Sequence, residues 1–358
     1  MRMEHKLSKE DRNRKIVDLF VRLSSSEEGM QTLRDGLQAA GLAPLRIVES
    51  MSYPQVTDPV RLENACRAVI MDTETTGLDP AKDKIIQLSM LEITYDSEGI
   101  LGFGRVFDRF NDPGFPIPEE VSALTGITDE QVAGQVIEAD QIIEFLRGAD
   151  RIICHNAAFD RKMVEANYPS AGFDRIVFDC SLEQVDWLKR GSNGRSLEVI
   201  ALKHGLIYGS HNATNDIRAT GFVLGMDHPE LGAAFCEMVK SGETPQLLLV
   251  AQSSPFHTKD DLKARGYRWS AEGEETGGYK AWWRMIKEDP EILAEEAEFL
   301  KGLYGRDVSL PAFRISPTER YSARRPREKV DFRSAAILSF ADAAAQTGNR
   351  LEAPQVSL

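Results

Sequence analysis

The stretch IMDTETTGLD, residues 70–79, decides the interpretation of this sequence. It begins as an apolar strand, in which residues two apart project from the same face. Asp72 and Glu74 therefore present two carboxylates together at the end of a buried strand. Burying like charges is unfavourable unless cations neutralise them, and ligands that are all oxygen favour Mg²⁺ or Mn²⁺ over Zn²⁺. A solvated acidic loop would carry the same residues, so the stretch alone leaves both interpretations open.

The segments around this stretch predict an α/β fold. Short apolar runs alternate with stretches in which apolar residues recur at helical spacing. Strands interleaved with helices in this way indicate a mixed sheet covered by helices. The predicted strands are 67–74, 84–96, 99–110, 151–156 and 176–180, and the predicted helices are 138–149, 158–168, 196–206 and 214–226.

A six-residue pattern occurs twice after these strands. HNAAFD spans His155–Asp160 and HNATND spans His211–Asp216. Each copy is His-Asn-Ala, two variable residues and Asp. The pair is a duplicated metal-binding element, a coincidence, or two parts of a single site with different roles.

Four sequence blocks together resemble a known family. DTETTGL, LTGIT (124–128), HNAAFD and HNATND occur in the order and at about the spacing of the DEDD superfamily of 3′–5′ exonucleases. They are similar to its DEDDh branch, the DnaQ-like proofreading type, and the resemblance covers roughly residues 66–225. It implies a ribonuclease H-like fold with a five-stranded mixed sheet.

The resemblance also implies a role for each acidic residue. Asp72 and Glu74 match the first motif, Asp160 the second and Asp216 the third. His211 matches the histidine that marks this branch. By this likeness, the four carboxylates hold two divalent metal ions, Mg²⁺ or Mn²⁺, and His211 takes a proton from the attacking water.

Substrate contacts are expected around the same motifs. The backbone N–H groups of the turn at Thr75, Thr76 and Gly77 can approach a phosphate or a sugar. The family likeness places Thr75 and Leu78 at the terminal nucleotide, with Leu78 against its base. It places Asn156 and Phe159 near the scissile phosphate and the terminal base. His155 lies at a strand–helix junction, where we expect it to pack or cap and not to act as a base.

The remainder of the chain predicts additional units. We expect a helical hairpin over residues 1–45, a linker over 46–64, the exonuclease domain over 65–228, and a small α+β module over 245–325. The composition of residues 326–358 predicts a disordered tail. The chain ends in Gln355–Leu358, which resembles a truncated sliding-clamp-binding peptide.

The C-terminal module interleaves basic and aromatic residues, which can form a stacking platform for single strands. An ordinary small core with solvated charges explains the same pattern equally well. The residues concerned are Lys263, Arg265, Arg268, Lys280 and Arg284 with Tyr267, Trp269, Trp282 and Trp283.

Composition excludes several other classes of protein. The sequence shows no apolar run of the roughly 18–20 residues that a membrane span needs, and no secretory signal precedes residue 20. The four cysteines have no CxxC spacing, so we expect reduced thiols and a cytoplasmic location. A net charge of −13 suits a nucleic-acid enzyme only because the acidic and basic residues are segregated along the chain.

The sequence therefore predicts a metal-dependent 3′–5′ exonuclease that releases nucleoside 5′-monophosphates from single-stranded or frayed DNA in proofreading or repair. One alternative is an RNA-trimming exonuclease of the same superfamily. Another is an interaction subunit bound to a DNA polymerase or a sliding clamp, in which catalysis is secondary.

Overall fold

The computed structural model describes residues 56–273, 276–324 and 328–333, together with residues 26, 29, 31, 32, 35, 46 and 47. It divides into two compact units, residues 1–242 and residues 243–358. The predicted helical hairpin falls almost wholly outside the described residues, as does the clamp-like peptide Gln355–Leu358. Among the helices that are described, none is long and apolar enough to cross a membrane.

The first unit is built on a mixed five-stranded sheet with the order β4-β3-β2-β5-β6. Strands β2, β3 and β4 are antiparallel neighbours, whereas β5 and β6 run parallel to β2. This sheet confirms the predicted fold class. The strands are β2 (Cys66–Thr75), β3 (Ile85–Asp96), β4 (Gly99–Phe110), β5 (Arg151–Cys154) and β6 (Val177–Cys180), and a separate parallel pair joins β1 (Arg46–Ile47) to β7 (Leu206–Ile207).

Helices cover this sheet and supply its core. A large buried cluster packs the apolar residues of β2 and β3 against the three helices that follow residue 196, with Trp187 inside it. The helices are α1 (Pro59–Glu63), α2 (Glu119–Thr125), α3 (Asp129–Val132), α4 (Ala139–Leu146), α5 (Ala157–Asn167), α6 (Ser181–Gln184), α7 (Leu197–Lys203), α8 (Ala213–Gly225) and α9 (Ala234–Glu243).

The second unit is an antiparallel five-stranded sheet with two helices. The sheet order is β12-β11-β8-β10-β9. Leu247, Leu249 and Ala251 point to the face that packs under Leu262, Leu293 and Leu300. The elements are β8 (Gln246–Ala251), α10 (Lys259–Ala264), β9 (Arg268–Ser270), β10 (Ala281–Lys287), α11 (Pro290–Tyr304), β11 (Ser309–Ile315) and β12 (Glu328–Arg333).

Two predicted segment assignments need correction. The predicted linker over 46–64 contains β1 and α1, and α1 begins with Asp58 accepting a hydrogen bond from the Val60 N–H and with Pro59 in its first turn. The predicted disordered tail over 326–358 contains β12, which pairs with β11. The cause is the short period-two pattern of Val330 and Phe332, which buries Phe332 in the core of the module.

The fully buried carboxylate of Glu296 connects three side chains of the second unit. We expect its removal to lower the stability of the fold strongly. Glu296 accepts hydrogen bonds from Tyr267 Oη at 2.7 Å, Arg284 Nη1 at 2.7 Å and Arg265 Nε at 3.2 Å. Glu296→Ala leaves these donors without their acceptor, so it should lower the free energy of unfolding by about 3–5 kcal/mol. Urea unfolding followed by tryptophan fluorescence tests this prediction.

The matched control is Glu295→Ala, because the Glu295 side chain is 75% exposed. That variant should unfold at nearly the same urea concentration as the unaltered chain. Equal unfolding midpoints for the two variants would contradict a structural role of Glu296.

Candidate active site

Three carboxylates meet at the end of β2. Asp72 and Glu74 project from the same side of this strand, and the first turn of α8 brings Asp216 to them. One oxygen atom from each carboxylate lies within 4.8 Å of the others. These donors are all oxygen atoms, and their closeness fits a hard divalent cation such as Mg²⁺ or Mn²⁺.

Asp160 stands beside these three carboxylates, but one of its oxygen atoms is already occupied. It lies in the first turn of α5, is 2% exposed, and its Oδ1 accepts hydrogen bonds from the Thr73 N–H at 3.1 Å and from Thr73 Oγ1 at 2.9 Å. Thr73 lies between Asp72 and Glu74 in β2. The two hydrogen bonds therefore fix Asp160 relative to the strand that carries the other ligands, and they leave Oδ2 for a cation.

Burial raises the pKa of all four carboxyl groups, and repulsion from neighbouring members of the cluster adds to it for Asp72 and Glu74. For Asp72, burial and then the charges of Asp160, Asp216 and Glu74 hold the pKa well above its usual range. Burial, followed by repulsion from Asp216 and Asp160, raises the pKa of Glu74 to about 8. Burial also raises the pKa of Asp160 and of Asp216 to about 7 each. Such a cluster must hold either protons or cations, so its electrostatics fit a metal site.

His211 lies at the entrance to α8. Its side chain is 44% exposed, its Nε2 is 3.9 Å from Glu198 Oε1, and its backbone has a φ of 59°. The next residue, Asn212, caps α8 and donates its backbone N–H to Asp216 Oδ2 at 3.1 Å. The histidine is thus joined to a candidate metal ligand through one residue of backbone, and its ring remains accessible to solvent.

Comparison with known proteins assigns the unit that holds these residues. A family model described as an exonuclease matches residues 69–224. Residues 69–224 therefore resemble an exonuclease domain. They contain all four carboxylates and His211.

The exonuclease domain has relatives in larger proteins. The PolC-type DNA polymerase III of Lacticaseibacillus paracasei is 33% identical over 215 residues, which cover 55% of this chain and 14% of that protein. The corresponding protein of Pediococcus pentosaceus is 33% identical over 162 residues, covering 43% of this chain and 11% of that protein. This chain therefore spans only a small part of the curated relatives that it matches. Among solved structures, a metal-free E. coli exonuclease I bound to single-stranded DNA is 13% identical, with a TM-score of 0.41 over 62% of each chain.

The raised pKa values of the exonuclease domain predict a metal-linked stability. A group whose pKa is higher when folded stabilises the fold at low pH and loses that contribution as the pH rises through the folded value. The metal-free protein should therefore lose stability from these groups between about pH 4 and pH 8, because unfolded carboxyl groups titrate near 4. Mg²⁺ displaces the protons, so its stabilising effect should grow over the same range.

Thermal unfolding with EDTA and with excess Mg²⁺, near pH 6 and near pH 8, measures this linkage. We expect the increase in Tm caused by Mg²⁺ to be larger at the higher pH, and to disappear in Asp72→Asn. An increase that is the same at both pH values would show that the cation binds elsewhere.

Tyr208 and Glu198 are two site residues that the sequence did not indicate. Tyr208 is 6% exposed and donates its hydroxyl to Asp216 Oδ1 at 3.0 Å. Glu198, in the first turn of α7, faces His211 and adds to the repulsion that raises the pKa of Asp216. A tyrosine among apolar residues just before the third motif is the sequence signal for Tyr208. The contact itself depends on how β7 leads into α8.

We expect Tyr208→Phe to weaken metal binding. The change keeps the ring and removes the hydroxyl that orients Asp216, and losing an outer hydrogen bond to a metal ligand typically costs about 10–100-fold in affinity. Titration of the nucleic-acid-free protein with Mn²⁺, followed by electron paramagnetic resonance, measures this affinity. Tyr168→Phe, at a partly buried tyrosine without a hydrogen bond to the carboxylates, is the control and should bind Mn²⁺ as the unaltered chain does. Equal affinities for both variants would show that Asp216 is held without the hydroxyl.

His155, in the first hexapeptide, has both ring nitrogen atoms engaged by its own chain. Nε2 lies 2.9 Å from the Arg195 carbonyl oxygen and Nδ1 lies 2.8 Å from Ser181 Oγ. Because a carbonyl can only accept, Nε2 carries the proton and Nδ1 accepts from the serine hydroxyl. Burial lowers the pKa of His155 to about 4, so the ring is neutral. These contacts join β5 to the segment before α7.

The predicted substrate residues fall into two groups. Thr75 Oγ1 donates to the Gly77 carbonyl at 2.7 Å, Thr76 Oγ1 donates to Asp83 Oδ1 at 3.2 Å, and both threonines are buried. A Cβ on Gly77 would lie 2.5 Å from the Asp83 carboxylate, so a larger residue would displace the side chain that accepts from Thr76. Their side chains thus shape the turn after β2.

The other three predicted substrate residues are more accessible. Leu78 is 83% exposed, Asn156 is exposed at the start of α5, and Phe159 is partly buried one turn further along. An apolar side chain as open to solvent as Leu78 is available to contact a base. Contacts of Leu78, Asn156 and Phe159 with a nucleotide stay a prediction.

Proposed function

We propose that this chain is a metal-dependent 3′–5′ exonuclease that removes nucleoside 5′-monophosphates from single-stranded or frayed DNA. The observation that carries the proposal is the group formed by Asp72, Glu74 and Asp216, whose carboxylate oxygen atoms lie within 4.8 Å of one another inside an exonuclease domain. Their raised pKa values indicate a site built for cations, because burial otherwise leaves these carboxylates repelling one another.

The residues of the site would have different roles in phosphodiester hydrolysis. Asp72, Glu74 and Asp216 would hold one divalent ion, and Asp160 would join Asp72 in holding a second. Such ions would supply a hydroxide nucleophile at neutral pH and would stabilise the negative charge on the phosphorane oxygen atoms and the leaving oxygen. His211 would accept the proton of the attacking water through its solvent-accessible ring.

The remaining residues would position the substrate and the ligands. Tyr208 holds Asp216, and Thr73 holds Asp160, so neither carboxylate needs to rotate when substrate arrives. Leu78 and Phe159 would contact the terminal base, and Asn156 would lie near the scissile phosphate. Stacking of this kind requires an unpaired 3′ end, because the faces of a base within a duplex are covered by the neighbouring base pairs.

The two relatives named above are PolC-type DNA polymerases III, and this supports a setting in proofreading or repair. An association of this chain with a DNA polymerase or a sliding clamp is part of the same proposal. A cytoplasmic location is also part of this proposal.

Digestion of end-labelled oligonucleotides tests the proposed reaction. DNA and RNA single strands, labelled at either end, are incubated with Mg²⁺, Mn²⁺ or EDTA. A 3′–5′ exonuclease releases a 3′ label as mononucleotide at the first turnover and shortens a 5′-labelled strand one nucleotide at a time. Immediate release of the 5′ label, or cleavage that continues in EDTA, would overturn the proposal. Comparison of the DNA and RNA rates decides the sugar preference.

A further inference from the structure

Two large aromatic side chains of the C-terminal module are exposed to solvent. Phe256, in the 3₁₀ turn that leads into α10, is 84% exposed, and Trp269, on the edge strand β9, is 53% exposed. Folded proteins tend to bury rings of this size, because each contributes a large apolar area. Exposed rings therefore raise the question of what covers them.

Two lysines of α10 stand over aromatic rings on the same side of the module. Lys259 and Lys263 are four residues apart, so they share one face of the helix. Lys259 Nζ is 5.2 Å from the Phe256 ring centroid, and Lys263 Nζ is 6.0 Å from the ring centroid of Trp282. Within the described part of the chain, neither ammonium has a carboxylate partner at ion-pair distance. Both lysines are exposed and remain free to meet an anion.

Strand pairing extends this surface to Trp269. Trp282 is the Cα partner of Trp269 across β10 and β9, and the two ring centroids are 5.7 Å apart at 62°. Trp282 also packs on the buried apolar residues beneath α10 and α11, which anchors the ring pair. We define the aromatic–lysine face as Phe256, Lys259, Lys263, Trp269 and Trp282.

Four other cations of the module have carboxylate partners. Arg265 and Arg284 bind the buried Glu296, Arg314 binds Glu288, and Lys280 lies 3.7 Å from Glu272. Tyr267 is only 3% exposed, so it belongs to the core. Of the interleaved residues, Arg265, Arg284 and Tyr267 thus have structural partners inside the module, whereas Lys263, Trp269 and Trp282 belong to the aromatic–lysine face.

We propose that the aromatic–lysine face binds single-stranded nucleic acid. Exposed rings offer stacking surfaces for unpaired bases, and the adjacent unpaired lysines complement backbone phosphates. The complementarity is local, because the whole chain carries a net charge of −13 and would otherwise repel a polyanion. The face lies outside the exonuclease domain, so it would hold the strand independently of the reacting 3′ end.

The test measures binding of the full chain in EDTA, where the proposed metal-dependent cleavage is off. The probe is a fluorescent oligothymidine blocked at its 3′ end by a phosphate, read by anisotropy. Trp269→Ala and Phe256→Ala should each weaken binding about tenfold, because stacking on an aromatic ring is worth roughly 1–3 kcal/mol per base. Phe256 is almost fully exposed, so its replacement leaves the fold intact even if Trp269→Ala does not.

Salt dependence tests the role of the lysines. The double variant Lys259→Gln, Lys263→Gln should reduce the slope of log K against log salt by about 1.4, since each phosphate contact on a single strand contributes about 0.7. Lys287→Gln is the matched control, because Lys287 is exposed and alternation along β10 places it on the opposite face of the sheet. It should leave both the affinity and the slope unchanged.

Three results would overturn the proposal. The first is unchanged affinity in Phe256→Ala, and the second is an unchanged slope in the double-lysine variant. The third is tighter binding of duplex than of single strand, which would exclude stacking. Oligouridine in place of oligothymidine shows whether the face prefers RNA or DNA. None of these measurements depends on cleavage, so failure of the exonuclease proposal would leave them interpretable.

Discussion

Asp72→Ala is expected to lower kcat/KM for single-stranded DNA about a thousandfold or more. Asp72 lies between Glu74, Asp160 and Asp216, and each of these three charges acts on its pKa. A carboxylate at the centre of the cluster would contact both metal ions. Its loss should remove several kcal/mol of transition-state stabilisation, and each 1.36 kcal/mol corresponds to about a factor of ten in rate.

The measurement is steady-state hydrolysis of a 5′-labelled oligonucleotide in Mg²⁺. Asp79→Ala is the matched control, because Asp79 lies in the same turn but is paired with Lys82 at the surface. That variant should retain nearly full activity. Thermal unfolding in EDTA separates inactivity from misfolding, since removing one of the crowded charges should not lower the Tm of the metal-free protein. Substantial activity in Asp72→Ala would contradict the metal site.

The two histidines of the repeated hexapeptide should respond in opposite ways to replacement by alanine. His211→Ala should lower kcat about a thousandfold, within the range of 10²–10⁴ that general-base catalysis contributes, because its exposed ring is the proposed proton acceptor. His155→Ala should leave kcat nearly unchanged. It should instead lower the free energy of unfolding by about 1–3 kcal/mol, because Ser181 and the Arg195 carbonyl lose their partner.

Kinetics at saturating DNA and urea unfolding, carried out on both variants, separate the two roles. A large loss of kcat in His155→Ala with unchanged stability would assign the base to the first hexapeptide. Unchanged kcat in His211→Ala would show that another group, or bulk water, accepts the proton. The repeated pattern therefore offers its own internal control.

Hydrophobic periodicity was sufficient to predict the sheet of the exonuclease domain. The run from Ala68 to Met71 is wholly buried in β2, and β3 and β4 pair as the predicted hairpin. These strands are long and strongly patterned, so local sequence and tertiary packing favour the same state. Strand β1 and helix α1 were missed because each is very short.

The carboxylates could be predicted from the sequence, whereas the contacts of the residues that position them could not. Asp72 and Glu74 are two apart in one strand, so secondary structure alone makes them neighbours. Tyr208 and Asp216 are eight residues apart across a turn, and Thr73 meets Asp160 across 87 positions. Such contacts depend on the tertiary arrangement of strand and helix, which no local pattern specifies.

The left-handed backbone at His211 has a consequence for how this position can change over time. A residue with a Cβ costs roughly 1–2 kcal/mol in this region of φ and ψ, whereas glycine adopts it freely. Selection for a more robust fold alone would therefore drive position 211 towards glycine. Histidine at a strained position, where glycine would relieve the strain, supports the proposed role of this side chain in the reaction. In a relative that no longer hydrolyses nucleic acid, the strain at this position would serve no function. Glycine at position 211 would therefore identify a chain that keeps the fold and lacks the activity.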